Sequence, residues 1–233
     1  MTSRFILAIS TSSGVAKVAA AMEPSASHAL AADLFNFEIT DYKSQSAQLL
    51  PFIQQHLEQI SVKPAQCAAI AVDIGPGGFT SLRTACGIAQ GLAVAWQVPT
   101  VPLTSFECML TAQQQDQPVM VLMDARLNEI YAACILRTEQ GTQWVKPPHL
   151  LALHELQNIH GSAVCDAHLY AQLQAPDPNV VQGAVSALRL GQLAWQEFAA
   201  GRVSVPFDCQ PLYVRDKVAQ TTTERLALKH GAV

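Results

Sequence analysis

The sequence predicts an α/β protein of two lobes, because a β-hairpin pattern occurs twice and a long helix separates the two occurrences. The first hairpin falls within residues 4–22, and the same pattern returns over residues 119–136. Between them, an apolar strand leads into a glycine-rich turn and then into a helix. Alternating strands and helices favour mixed sheets flanked by helices, and the repeated hairpin indicates a duplicated unit.

The composition favours a globular protein. Half of the 233 residues are hydrophobic, 14% are charged, and the formal net charge is −4. Lys and Arg are scattered singly, so the chain lacks the basic stripe that strong nucleic-acid binding requires. Six cysteines without a C-x-x-C pair are typical of reduced cytosolic thiols, and no apolar window approaches the ~20 residues of a membrane span. We therefore expect a cytoplasmic protein without a membrane segment.

The first predicted lobe covers residues 1–103. Its opening hairpin pairs Arg4–Ile9 with Val15–Met22 across a polar turn, and a third strand is expected over Leu34–Ile39. Apolar residues then repeat at helical spacing over Ser46–Ile60, which predicts an amphipathic helix. The residues that share its apolar face are Leu49, Leu50, Ile53, Leu57 and Ile60.

The glycine loop, residues 75–83, is the most informative segment of the chain. It follows an apolar strand over Ala68–Val72 and opens a helix over Thr80–Trp96. A turn rich in backbone N–H groups beside a helix N-terminus suits an anion or the close approach of another backbone, although the loop has no Lys for a phosphate. The candidate anion or nucleotide contacts at this loop and at neighbouring strand ends are Ser10, Thr11, Gly75, Gly77, Gly78, Thr80, Arg83 and Asp124.

Small side chains dominate the helix that follows the glycine loop. Alanine and glycine recur from Ala85 to Ala95, and they let a second backbone come close. Two interpretations remain open, since the helix can pack on the chain's own sheet or contact another subunit. Arg83 also has two interpretations, an anion or acidic partner contact and a surface pair within the chain.

Residues 104–210 form the second, smaller predicted lobe, and residues 211–233 are expected to complete the first. The elements predicted here are a helix over Thr104–Gln114, a hairpin over Val119–Leu136, a strand over Ala163–Cys165, a helix over Val185–Ala200 and an ordered segment over Pro211–Arg215. Beyond Lys217 the pattern predicts a frayed tail.

Five motifs follow one another along the chain. They are Ile6-Leu7-Ala8-Ile9-Ser10-Thr11-Ser12, the glycine loop to Arg83, Gly87-Ile88-Ala89-Gln90-Gly91-Leu92-Ala93, Asp124-Ala125-Arg126 with Glu129-Ile130-Tyr131, and Pro211-Leu212-Tyr213-Val214-Arg215. In this order they resemble the bacterial TsaB family of tRNA threonylcarbamoyladenosine biosynthesis proteins. The resemblance implies the two-lobe fold of actin, sugar kinases and Hsp70, the ASKHA fold.

The same resemblance implies a non-catalytic role. Family members bind the related catalytic subunit TsaD, which transfers a threonylcarbamoyl group to the adenosine next to the anticodon, and the ATPase TsaE joins the assembly. Self-association is also implied, whereas tRNA is reached only through the complex. We expect no catalytic residue, metal or firmly bound cofactor, and weak nucleotide binding stays open. The candidate partner interface is Gln45, Leu49, Leu50, Ile53, Leu57, Ala85, Ile88, Ala89 and Leu92.

Position 10 departs from the family pattern. Family members usually carry Asp at the end of the first strand, where kinase-like relatives use it to organise Mg²⁺ and phosphate, whereas this chain has Ser10. A neutral hydroxyl is a far weaker metal ligand than a carboxylate, which argues against nucleotide hydrolysis. Asp73 and Asp124 also follow strands, and each either faces the cleft between the lobes or caps a turn.

Two other functions stay open. An ATP-dependent phosphotransferase or ATPase of the same fold is supported by the glycine loop and opposed by Ser10 and by the missing Lys. A metal-dependent glycopeptidase is suggested by an older label of the wider family. The seven histidines are scattered, however, and none forms an H-x-x-x-H pair.

Overall fold

The computed structural model consists of two five-stranded mixed sheets with flanking helices. The residues that it describes are 4–24, 32–41, 45–111, 114, 116–138, 140–174 and 177–215. The predicted α/β class with two lobes is confirmed. The tail predicted to fray beyond Lys217 lies outside the described residues.

The described elements follow one another in three groups. The first is β1 (Phe5–Ser10), β2 (Ala16–Met22), β3 (Asp33–Ile39), α1 (Gln45–Gln59), β4 (Cys67–Asp73), α2 (Phe79–Trp96) and β5 (Thr100–Leu103). The second is α3 (Ser105–Met109), β6 (Pro118–Arg126), β7 (Glu129–Thr138) and β8 (Gly141–Ala152). The third is β9 (Ala163–Cys165), α4 (Ala167–Tyr170), β10 (Val180–Gln182) and α5 (Ala187–Ala199).

The first sheet has the strand order β3-β2-β1-β4-β5. β1 pairs antiparallel with β2 and parallel with β4, and β4 pairs parallel with β5. Every residue of β1 and β4 is buried, because helices cover both faces of the sheet. Leu7 of β1 packs in one core with α1 and α2, whereas Ala8 points the other way, into a core with α5.

The two long predicted helices of the first lobe are confirmed as α1 and α2. In α1, Leu49, Ile53 and Leu57 are buried against the sheet. Leu50 is 46% exposed, so the predicted apolar face was too wide by this residue.

The helix α5 packs on the first sheet, although it follows the second sheet in sequence. The Trp195 Nε1 group donates a hydrogen bond to the Ala21 carbonyl at 2.9 Å. A Cβ atom on Gly191 would lie 2.6 Å from the Cβ of Ala21, so only glycine lets the helix come this close. The helix α5 therefore lies on the first sheet, although the predicted second lobe of residues 104–210 includes it, and the boundary between the lobes stays a prediction.

The second sheet has the order β10-β9-β6-β7-β8. The strand β9 lies where it was predicted, but β8 and β10 were not predicted. In β8 the run Gln143–Pro147 is exposed, so the strand lacks the alternation of buried and exposed residues that identifies a half-buried strand. The helix α3 ends at Met109 and is shorter than the predicted helix over Thr104–Gln114.

One apolar core joins the two lobes. It contains Ile6 of the first sheet, Val121 and Ile135 of the second sheet, and Leu190 of α5, all with no accessible surface. A second core lies beneath α1 and α2, and a third lies on the far face of the second sheet. No helix in the described part of the chain is both long and apolar enough to cross a membrane.

Candidate functional site

A cleft of about 540 Å³ lies between the two lobes and is called the interlobe cleft here. The first lobe contributes the turn after β1 and the glycine loop, and the second lobe contributes the end of β6, the β6–β7 turn and the start of α4. Residues 212–215 line it as well. The charged side chains along its wall are Lys17, Asp124, Arg126, Asp166 and Arg215.

Asp73, at the end of β4, points into the protein and not into the cleft. It is completely buried, and its carboxylate accepts four hydrogen bonds. Oδ2 accepts from the hydroxyls of Ser10 at 2.7 Å and of Ser12 at 2.5 Å. Oδ1 accepts from the hydroxyl of Ser105 at 2.7 Å and from the amide of Gly75 at 2.9 Å. The carboxylate therefore ties β1, β4, the glycine loop and α3 together.

Burial raises the pKa of Asp73, because the charged form loses its hydration. The hydrogen bonds from the three serines and from the Gly75 amide act in the opposite direction. Of the two roles considered for Asp73, the contacts support the internal cap. Ser10 turns its hydroxyl to the same carboxylate and is not part of the cleft wall.

Asp124 is the strand-end acid that lines the cleft. Its Oδ1 accepts a hydrogen bond from the Arg126 amide at 2.8 Å, and its Oδ2 lies 3.0 Å from the Arg126 guanidinium. His168 Nε2 lies 3.8 Å from the same oxygen, and the Asp124 amide donates to Asp166 at 2.6 Å. Asp124 thus faces the cleft and caps the β6–β7 turn at once. No group of three His, Cys, Asp or Glu side chains is placed to hold a metal in the residues that the structure describes.

The glycine loop brings the start of α2 against the β1–β2 turn. Gly75 has a φ of 104°, in the region that favours glycine. A Cβ atom on Gly77 would lie 2.6 Å from the carbonyl oxygen of Ser12, so this close approach also requires glycine. Gly78 is the N-cap of α2 and provides no side-chain cap.

The predicted anion contacts are distributed over three places. Those that line the interlobe cleft are Gly77, Gly78 and Asp124. Those that bind Asp73 are Ser10 and Gly75. Those that line a separate small pocket between α1 and α2 are Thr11 and Thr80. These candidates therefore lie at three separate places, and whether any of them binds an anion stays a prediction.

Arg83, the last of the predicted anion contacts, lies outside these places and forms contacts within the chain. Its Nε donates to the Tyr213 hydroxyl at 2.8 Å, and its guanidinium lies 3.8 Å from the centre of the Phe79 ring. A cation over an aromatic face is a favourable arrangement. The structure therefore supports the intrachain interpretation of this residue.

Residues 211–215, called the strap here, run from one lobe to the other along the cleft. The Leu212 amide donates to the Ile74 carbonyl at 2.8 Å in the first lobe. In the second lobe, the Arg215 guanidinium donates to the Ala125 carbonyl at 3.0 Å and to the Glu129 carboxylate. The sequence predicted an ordered segment here, but local sequence carries no signal of its contacts with both lobes.

Most residues of the predicted partner interface lie in the chain's own core. The buried members are Gln45, Leu49, Ile53, Leu57, Ala85 and Ala89. Those that keep solvent contact are Leu50, Ile88 and Leu92. An exposed surface of this chain presents only the second group, and the partner interface itself stays a prediction. The outward side of α2 instead carries Gly87 and Gly91, whose Cβ positions have no atom within 4 Å.

A buried ion-pair cluster at the junction of the lobes was not predicted. Arg137 of β7 is 1% exposed and pairs with Glu107 of α3 at 3.0 Å and with Glu197 of α5 at 2.7 Å. Burial disfavours the charged form of Glu197, but hydrogen bonds from Arg202 and the charge of Arg137 outweigh it and hold the pKa of Glu197 below its ordinary value. These residues lie far apart in sequence, so no local pattern identifies the cluster.

Comparisons with known proteins agree with this architecture. A family model described as TsaD: tRNA N6-adenosine threonylcarbamoyltransferase matches residues 41–187, more than half of the chain. The tRNA threonylcarbamoyladenosine biosynthesis protein TsaB of Haemophilus influenzae is 28% identical over 195 residues, which cover 76% of this chain and 82% of that protein. TsaB of Escherichia coli is 29% identical over 199 residues, with coverages of 76% and 83%.

Two solved structures from Pseudomonas aeruginosa have the same fold. One, described as an uncharacterized protein with similarity to peptidase YEAZ, has a TM-score of 0.72 and 21% identity, covering 91% of this chain and all of that one. The other, YeaZ, has a TM-score of 0.71 and 22% identity, covering 90% of this chain and 99% of that one.

Proposed function

Since the chain belongs to the tRNA N6-adenosine threonylcarbamoyltransferase family and is similar to two TsaB proteins over 76% of its own length, we propose that it is a non-catalytic subunit in tRNA threonylcarbamoyladenosine biosynthesis. In this role it binds and stabilises the catalytic subunit TsaD. The ATPase TsaE and tRNA are reached through the assembled complex, and the same surface serves self-association.

The observation that carries this proposal is the outward side of α2. Only one of its 18 residues, Arg83, is charged, and that residue is already engaged with Tyr213. Gly87 and Gly91 stand one turn apart in the helix interior, where each glycine costs about 1 kcal/mol relative to alanine. Nothing among the described residues requires them, because their Cβ positions have no described atom within 4 Å. A partner helix that packs at close range would require them.

The proposed docking face consists of the outward residues of α1 and α2, including Leu50, Gly87, Ile88, Gly91 and Leu92. The exposed positions of α1 add one charged residue, Glu58. A weakly charged surface with small residues suits the face of another helix pair, as a catalytic subunit of related fold would present.

The hydrogen bonds of the buried Asp73 support the non-catalytic part of the proposal. Its carboxylate accepts hydrogen bonds from the chain's own hydroxyls and amide, so it is not available to a metal or a phosphate in the cleft. Ser10, in the place of the usual family Asp, contributes one of those hydroxyls.

The substitution Gly91→Leu tests the docking face. We expect the variant to fold at least as stably as the wild type, because leucine is the better helix former, and to lose co-elution with TsaD at micromolar concentration. Ala199→Leu, at an exposed position of α5, is the matched control and is expected to bind TsaD normally. Normal binding by Gly91→Leu would place the interface elsewhere, and failure of the wild type to bind would end the proposal.

A phosphotransferase or ATPase is the second candidate, because the interlobe cleft is spacious and Gly77, Gly78 and Asp124 line it. Phosphate release from ATP with Mg²⁺ tests this function. Turnover by the chain alone that disappears in Asp124→Ala would favour it over the non-catalytic role.

A further inference from the structure

Cys86 of α2 and Cys209, at the end of the turn over Pro206–Asp208, bring two thiols together. Both are buried in the core that lies under α1 and α2, and both are free cysteines. The Cys86 thiol donates a hydrogen bond to the Cys209 sulfur. The backbone supports this contact, because the Gln90 side chain, one helical turn beyond Cys86, donates to the Cys209 carbonyl at 2.8 Å.

The other four thiols have different surroundings. Cys67 belongs to the same core, but its thiol donates to the Ala69 carbonyl at 3.2 Å. Cys108 and Cys165 belong to the two other cores, and Cys134 is partly exposed on β7. A disulfide requires two β-carbons within about 4.5 Å of each other, and thiols in hydrogen-bond contact lie near that range. The pair under α2 is therefore the one placed for a disulfide.

The hydrogen bond between the two thiols prepares Cys209 to react as a nucleophile. It lowers the pKa of Cys209, because the donated proton stabilises the thiolate, although burial acts in the opposite direction. The same hydrogen bond, together with burial, raises the pKa of Cys86, which therefore stays the protonated donor. The thiolate is the reactive form of cysteine, so Cys209 is the residue that attacks.

The segment that carries Cys209 is held by few contacts. Among residues 205–210, Cys209 is the only one that is buried, and Phe207 is 75% exposed. Backbone hydrogen bonds fix the chain to the first lobe on either side of this segment, at Ser204 and at Leu212. A short segment with few buried contacts opens at a low free-energy cost, so a small oxidant can reach the sulfur while the core stays folded.

We infer that Cys86 and Cys209 form a redox-sensitive pair that closes to a disulfide when the protein meets hydrogen peroxide. The Cys209 thiolate attacks one peroxide oxygen, the O–O bond breaks, and the released hydroxide takes the proton of Cys86 to form water. The Cys86 thiolate then attacks the sulfenic sulfur of Cys209, the S–S bond forms, and the departing hydroxide takes a proton from solvent. The two sulfurs together lose two electrons, and one peroxide becomes two waters.

The disulfide fastens the chain just before the strap to α2, the helix that supports the proposed docking face. Because the two cysteines are far apart in sequence, the cross-link also restricts the unfolded chain and stabilises the folded one. Reduction by a small thiol reverses both effects. This inference goes beyond the proposed function and does not depend on it, since the chain is tested alone.

The test is oxidation of the folded chain with a small excess of hydrogen peroxide, followed by alkylation of the remaining thiols in denaturant and peptide mass spectrometry. Digestion with trypsin and chymotrypsin separates Cys86 from Cys108, because chymotrypsin cleaves after Trp96. We expect a linked Cys86–Cys209 peptide as the main disulfide product, lost again after dithiothreitol. The oxidised chain is expected to melt roughly 5–10 °C above the reduced chain.

Cys86→Ala and Cys209→Ala are expected to lose both the linked peptide and the rise in melting temperature. Cys67→Ala removes a thiol of the same core outside the pair, so it is the matched control and should keep both. The inference is overturned if the wild-type chain forms the linked peptide only in urea, forms other cysteine pairs in equal amount, or leaves both thiols free for alkylation. A rise in melting temperature that persists in both alanine variants of the pair would also overturn it.

Discussion

Asp73 shows how the same side chain can be a ligand or a cap, depending on its neighbours. The strand-end position fits both roles, and sequence alone left both open. The structure decides because Ser10 and Ser12 at the end of β1 and Ser105 of α3, far apart in sequence, all donate to this carboxylate. A local pattern cannot predict that convergence, since it depends on the packing of β1, β4 and α3.

Replacing Asp73 with alanine is expected to destabilise the protein by about 3 kcal/mol, because three hydroxyls and an amide lose a buried acceptor. Urea unfolding measures this. Asp124→Ala is the matched control, and there we expect about 1 kcal/mol or less, since that acid lies at the cleft wall. Equal losses in the two variants would contradict the assignment of Asp73 as an internal cap.

Among the helices, the bounds of α2 were predicted to within one residue. The predicted partner interface, however, includes residues of the helix face that packs on the sheet. Ala85 and Ala89 pack against the first sheet, whereas Gly87 and Gly91 face outward. Both faces consist of small residues, so the usual contrast between an apolar and a polar side is missing. The strand β8 was not predicted, because much of it is exposed and its sequence lacks the alternation of apolar and polar residues.

Two helix glycines should respond to alanine with opposite signs. In Gly191→Ala the new methyl group would meet the Cβ of Ala21 at 2.6 Å, so we expect a loss of about 1–3 kcal/mol through overpacking. Gly87→Ala has open space and should gain about 0.5–1 kcal/mol from helix propensity. Thermal unfolding of the two variants side by side gives the comparison. A gain at position 191 would show that α5 is less tightly seated than the contact implies.

For the molecule as a whole, the two lobes are joined in three ways. They share one apolar core, the strap has contacts on both, and the Arg137 cluster links α3, β7 and α5. The duplicated hairpins predicted two lobes correctly, and α5, which falls in the predicted second lobe, packs on the first sheet. The sequence shows the apolar stripe of α5 but does not show which sheet that stripe covers.

The Arg137 cluster predicts a specific loss of stability in acid. Folding lowers the pKa of Glu197, so its contribution is complete above the ordinary value near 4.5 and is lost as the pH falls through the lower folded value. At pH 7, Glu197→Gln is expected to cost about 3 kcal/mol, because the buried Arg137 guanidinium keeps only one of its two carboxylate partners.

The difference in the free energy of unfolding between the wild type and Glu197→Gln should shrink as the pH falls below 4.5, and urea unfolding at a series of pH values measures it. Glu38→Gln is the control, since the Glu38 side chain is exposed and its loss should change stability by about 0.5 kcal/mol or less. A pH-independent difference at Glu197 would show that it contributes through packing alone.

The 2.7 Å contact between Ser10 and Asp73 also limits which residues can occupy position 10. Replacing Ser10 with Asp would bring two carboxylates together in a fully buried site, and one of them would have to take up a proton. We expect Ser10→Asp to be clearly less stable in urea than the exchanged double variant Ser10→Asp/Asp73→Ser. Such epistasis would mean that the acid can move between the two strands only when both positions change.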